Sequence, residues 1–196
     1  MMKSKTGRPR CEKSRKAIMK AAHELLNEKG GASLTIEAIA RRAKVGKPTI
    51  YRWWPSLADI VLEALLQQAD ANITVPLFES LRKTLGRFLK QSMKAIVTGG
   101  GVHLRFLMAH AQKDEDFRKR FRENFTAERR RILKSIFQAA VEHGQIVSGQ
   151  NLELLMDIVF GAMWYRLLVE HAPMDDSFAE ELTEVIIGVV QSPRRG

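Results

Sequence analysis

Between Thr35 and Pro55 the chain has room for two short helices and a tight turn, and for little else. Thr35 offers a hydroxyl to cap the open amides of a helix carrying Ile36, Ile39, Ala40 and Ala43 at helical spacing. Lys44-Val45-Gly46 breaks that helix. Pro48 then stands in the first turn of the next one, where a missing amide proton costs little, and Pro55 stops it. The second helix is therefore expected over about Lys47 to Trp54. Ahead of both lies a longer helix, about Glu12 to Lys29, with Ile18, Ala21, Ala22, Leu25 and Leu26 on one stripe and Gly30-Gly31 at its end. Two short helices joined by a three-residue turn and braced by a longer one form a helix-turn-helix.

The charge distribution points the same way. Residues 1–54 hold 14 Lys/Arg against four acids, whereas residues 55–196 hold 18 of each sign. The whole formal excess of +10 thus sits in the first quarter of the chain. Solvated surfaces mix signs, so this asymmetry implies a polyanionic partner. Nucleic acid fits best. An anionic membrane surface fits less well, because the aliphatic positions of the first helix are committed to a core face.

Downstream, nearly every segment reads as helix, with no alternating apolar runs and no hairpin turns. Ser56 with Asp59 makes a capping-box-like start for a helix running to about Ala71. Longer helices are expected over about Pro76 to Val97, Val102 to Gln112, Asp114 to His143, Asn151 to Glu170 and Asp176 to Gln191. The breaks fall at Gly99-Gly100-Gly101, Gly144, Gly149 and Pro173. The expected fold is all-α, about nine helices in total. A basic arm (1–10) precedes a three-helix DNA-binding domain (11–56), and a helical bundle follows (57–196), the connection lying in the fourth helix.

The second helix of the pair must bury one face and present donors on the other, since the major groove admits a single α-helix. Ile50, Trp54 and Val45 fit the inward face. Lys47, Pro48, Thr49, Tyr51, Arg52 and Trp53 are the expected DNA-facing set, joined by Lys44 in the turn and by Thr35 at a positive helix end suited to phosphate.

The run Leu34-Thr35-Ile36-Glu37-Ala38-Ile39-Ala40, followed by Val45-Gly46-Lys47-Pro48-Thr49-Ile50-Tyr51-Arg52-Trp53-Trp54-Pro55-Ser56, resembles the tetracycline-repressor (TetR) family over about residues 14–66. Trp164-Tyr165-Arg166-Leu167-Leu168 and Phe178-Ala179-Glu180-Glu181-Leu182 are similar to the C-terminal domain of one subgroup. Three positions depart from the family pattern. Leu57 stands where a phosphate-contacting lysine is usual, Lys44 replaces the turn glycine, and Gly46 replaces the serine cap.

In the arm, Arg8 and Arg10 flank Pro9, a pattern suited to a narrow minor groove; a solvated tail adding nonspecific affinity is the plainer reading. One such head makes few contacts, so two are expected to pair on a palindromic double-stranded DNA operator. The last two helices carry broad apolar stripes, and the resemblance implies that they form a homodimer interface. Leu152, Leu155, Met156, Val159, Phe160, Leu167, Phe178, Leu182, Val185, Ile186 and Val189 are its candidates. The resemblance also implies a small, often apolar effector that shifts the heads. Phe88, Met93, Phe106, His110, Phe125, Met163, Trp164 and Arg166 are the pocket candidates, although each taken alone also suits ordinary core packing.

The remaining classes fare worse. Cys11 is the single cysteine, which excludes an internal disulfide and suits a reducing cytoplasm. The basic start has no apolar stretch behind it and does not read as a secretory signal. The best apolar run, Ile158 to Tyr165, has eight residues, well below the roughly 18 of a membrane span. His103 and His110 share a helix face without an acid or thiol at ligand spacing, so they read as structural, and neither metal nor cofactor is expected. No Ser-His-Asp set, phosphate loop or close carboxylate pair stands out for an enzyme. A nonspecific architectural DNA-binding protein would share the arm but has no need of a neutral body. The basic run Arg118-Lys119-Arg120, Arg122 and Arg129-Arg130-Arg131 is interleaved with acids and is expected to be a solvated face.

Overall fold

The computed structural model describes residues 11–28, 34–72, 77–147 and 149–191, with backbone alone at 68–72. Among these residues every regular element is helical. The chain divides into two compact units, and the division falls inside one helix, between Ala64 and Leu65.

The first unit holds α1 (Glu12–Asn27), α2 (Ile36–Ala43), α3 (Lys47–Tyr51) and the start of α4 (Leu57–Asn72). α1 turns Ile18, Ala21, Ala22, Leu25 and Leu26 inward, the stripe its spacing predicts. Ile36, Ile39 and Ala40 of α2 and Ile50 of α3 are buried too, and α1, α2 and α3 pack on one another. Thr35 caps α2, its hydroxyl accepting from the Ala38 amide at 3.0 Å. α2 ends in a Schellman arrangement: Val45 N–H donates to the Ala40 carbonyl and Lys44 N–H to that of Arg41. Lys44 itself sits in the left-handed region at φ 54°. Ser56 both receives the Asp59 amide and donates to the Asp59 carboxylate, which starts α4.

The second unit is a helical body. α5 (Leu81–Ala95) leads across a kink at Ile96–Gly100 into α6 (Gly101–Ala111). α7 (Glu115–Phe121) runs through a π turn (Arg122–Thr126) into α8 (Ala127–Glu142), and α9 (Leu152–Val169) and α10 (Asp176–Gln191) complete it. α5, α8, α9 and α10 share one core, with Leu85, Phe88, Phe137, Met156, Val159, Leu182 and Ile186 at its centre. Two element ends differ most from the sequence expectation. α5 starts at Leu81 rather than Pro76, because Ser80 caps it by accepting from the Lys83 amide. α3 stops at Tyr51 rather than Trp54; the amides of Trp53 and Trp54 still donate to the Ile50 carbonyl in a tightened last turn. Pro55 bears on the last of these residues, Trp54, since the residue before a proline is pushed out of the helical region.

Gly99 is where the Gly99-Gly100-Gly101 break needs glycine: its φ is +127°. Gly101 lets α6 approach α9, since a Cβ there would stand 3.1 Å from Leu167.

Candidate nucleic-acid interface

α3 divides its surface as a groove-reading helix must. Ile50 is 0% exposed and Trp54 3%, which hold the helix down. The Trp54 indole N–H donates to Glu63 at 2.6 Å, and Arg15 of α1 pairs with the same carboxylate. One acid on α4 thus ties the end of the reading helix to the support helix. Outward, Lys47, Pro48 and Arg52 are exposed, Thr49 is half-buried, and Tyr51 is 51% exposed. Trp53 is half-buried, with the Arg15 guanidinium 5.6 Å from its ring, so it belongs partly to the scaffold.

The charges around this face are not equivalent. Arg41, Lys44 and Arg52 are exposed. Arg42 reaches back to Glu28 at 2.6 Å, a pairing that raises its pKa further. Lys47 is paired with Glu37 of α2; hydrogen bonding to that ammonium holds the carboxyl below its ordinary pKa and raises that of Lys47. Thr35 is at the positive end of α2, with its hydroxyl engaged in the cap. The left-handed Lys44 replaces glycine in a conformation that disfavours side chains, and it carries a charge at the turn beside α3. Arg8 and Arg10 lie outside the described residues.

The remaining candidates fall in the body. Of the eleven residues expected at a dimer interface, Leu155, Met156, Val159, Leu167, Phe178, Leu182 and Ile186 are buried within the single subunit. Their apolar surface is largely used within the subunit itself. Leu152 and Phe160 are partly buried, and only Val185 and Val189 are exposed. A second stripe faces out instead: Leu154, Ile158, Gly161, Tyr165 and Leu168 follow one another at intervals of four, three, four and three along α9. Sequence reading missed these four side chains beside Gly161, although the interval was visible.

The pocket candidates do not form one group. Phe88, Met93 and Met163 share the body's main core. Phe106 is 39% exposed and stacks on His110, whose ring meets Phe117 edge-on at 4.8 Å. Phe125 stacks on Phe121, with the Arg129 guanidinium 5.5 Å from its ring. Trp164 is half-buried. Arg166 lies over Phe178 at 3.5 Å and donates to the Pro173 carbonyl, so it fastens the loop between α9 and α10. Ser92, not foreseen, places a buried hydroxyl without a hydrogen-bond partner among the described residues, on the same face as Phe88.

Part of the basic run on α7 and α8 is paired with acids. Arg118 pairs with Glu115, Arg131 with Glu128, and Arg130 with both Glu153 and Asp157 of α9. Arg129 departs from the expected solvated face, since it is buried. Among the described residues no group of three His, Cys, Asp or Glu is placed to hold a metal, and no helix is long and apolar enough to cross a membrane.

Comparison with known proteins agrees with this division of labour. Residues 18–64 match the bacterial regulatory proteins of the tetR family, and residues 75–186 match the tetracyclin repressor-like C-terminal domain. The HTH-type transcriptional regulator YdeS of Bacillus subtilis is 32% identical over 181 residues, covering 92% of this chain and 91% of its own. The crystal structure of the TetR family transcription regulator SCO0332 superposes with a TM-score of 0.78 at 30% identity, covering 92% of this chain and all of that one. FadR from Bacillus halodurans, a fatty acid degradation regulator, shares the fold at a TM-score of 0.68 and 13% identity, over 89% of this chain and 98% of its own. These relatives are regulators of transcription rather than enzymes. With a reading helix held from behind and bare in front, and with both halves matched, the chain belongs to the TetR family of DNA-binding transcriptional regulators.

Proposed function

We propose that this regulator is a ligand-responsive repressor that binds a palindromic operator as a homodimer and is released by a small, largely apolar effector. The observation that carries the DNA half of this reading is the exposed face of α3, where Lys47, Pro48, Tyr51 and Arg52 stand out while Ile50 and Trp54 are buried. A single five-residue helix offers few contacts, which is the physical reason to pair two heads on one duplex. The outward stripe of α9, with Val185 and Val189 of α10, supports a two-fold apolar contact.

The effector half rests on Ser92. A buried hydroxyl without a partner costs about 1–3 kcal/mol, which a polar group on a bound molecule would recover. Phe88 and Met93 beside it suit an apolar body. A FadR of this fold from Bacillus subtilis has been solved in complex with stearoyl-CoA, which supports a small-molecule role for such a body. Arg8 and Arg10 are assigned to the minor groove beside each half-site.

Selection of duplexes from a random pool tests the reading. The expected product is a palindrome bound by a dimer at least ~10³-fold more tightly than bulk DNA at physiological salt. Selected sites without symmetry, or no enrichment, would overturn it. Deleting residues 1–10 should weaken operator binding more than binding to random DNA; equal losses would remove the groove role.

A further inference from the structure

We propose that Glu37 is a specificity residue of the DNA site: by holding Lys47 in an internal ion pair it withdraws that ammonium from sequence-independent phosphate contact and leaves its remaining protons for base edges. The inference rests on the DNA-binding reading of α3 made above.

Glu37 lies in the first turn of α2, where the positive helix end favours a carboxylate, and Lys47 is the first residue of α3. The pair therefore crosses the turn between the two helices of the motif. Both side chains are exposed, so burial does not force them together, and such a pair is weak enough to rearrange.

Lysines bind random DNA by neutralising phosphates and releasing counterions. Lys47 can do so only by leaving Glu37, or by bringing a carboxylate towards the phosphate chain, where like charges repel. Either route penalises every sequence alike. A base edge asks for something different. An ammonium has three protons, and one used on Glu37 leaves two for guanine O6 and N7 in the major groove. Arg41 and Lys44 are exposed beside the same face to supply phosphate contacts. The pair thus lowers background affinity while leaving Lys47 equipped to read.

The test uses the full chain as parent, Glu37→Gln, Lys47→Gln and the double variant. Affinities for a selected operator and for a random duplex of equal length are measured between 50 and 200 mM salt. Melting curves matched to the parent establish that each variant is folded. Glu37→Gln is expected to steepen the salt dependence of random-duplex binding by about 0.9 per bound head, one added phosphate contact. Its operator-to-random ratio should fall below the parent's, and by roughly 3-fold more per head at 50 mM than at 200 mM salt, the salt dependence of one such contact. On the Lys47→Gln background the same change should alter neither quantity. An unchanged slope and ratio in Glu37→Gln overturns the proposal, as does an equal shift in both backgrounds, which marks a general charge effect. A parent that binds no duplex selectively overturns the DNA reading itself, and this proposal with it.

Discussion

Replacing Trp54 by alanine should remove much of what holds the reading helix in place. The indole is 3% exposed, lies 6.2 Å from the Trp53 ring and donates its N–H to Glu63 at 2.6 Å. Truncating a buried aromatic to alanine costs roughly 3–5 kcal/mol through lost transfer energy and the cavity left behind. A hydrogen bond to a charged acceptor contributes about 1.5–3 kcal/mol, and Trp54→Phe removes it while keeping most of the ring. Glu63 retains Arg15 in either variant, so no unpaired acid is stranded. Trp54→Ala should therefore fall in the upper part of its range and Trp54→Phe well below it. Against a domain stability of about 5–15 kcal/mol the alanine change is severe. Urea unfolding followed by far-UV circular dichroism reads both variants, with duplex binding measured alongside. An alanine variant within about 1 kcal/mol of the parent would refute the burial argument. A phenylalanine variant as damaging as alanine would move the weight from packing to the Glu63 bond.

Tyr51→Ala should weaken operator binding while leaving the unfolding curve in place, because the ring is 51% exposed; an unfolded variant would contradict that placement. Lys44→Gly should stabilise the chain by about 1 kcal/mol, since the left-handed backbone at φ 54° no longer carries a side chain, and should lower affinity for random DNA. Ile158→Glu, in the middle of the outward stripe of α9, should weaken self-association by roughly 100-fold or more in sedimentation, because a carboxylate would be buried without a partner. Ser92→Ala should raise stability by about 1 kcal/mol and blunt the response to an effector; a destabilised variant would mean that the hydroxyl has a partner after all.

The DNA-binding motif was legible because its signals are local. Thr35, the break at Lys44-Val45-Gly46, Pro48 and the Ser56–Asp59 pair each act within a few residues, and each does what its chemistry predicts. The expected end of α3 lies three residues beyond the observed one; Pro55 restricts Trp54 alone, and no local signal marks Arg52 or Trp53. The π turn at Arg122–Thr126 had no signal, because it adds one residue to a helix without a change in composition. Which side of α9 is buried within its own subunit is not legible for a different reason. α9 is apolar nearly all round, so spacing alone does not say which side meets its own subunit; Leu154 and Leu155 are neighbours in sequence and opposite in burial. The Glu37–Lys47 and Arg15–Glu63 pairs join residues from different helices and needed the fold to appear.

A photo-crosslinking residue placed at position 51 and irradiated on a selected operator probes the central claim without intermediaries. Attachment to bases lining the major groove, at two symmetry-related positions, is the outcome this account predicts. Efficient crosslinking from position 119 on the body, with none from position 51, would contradict it.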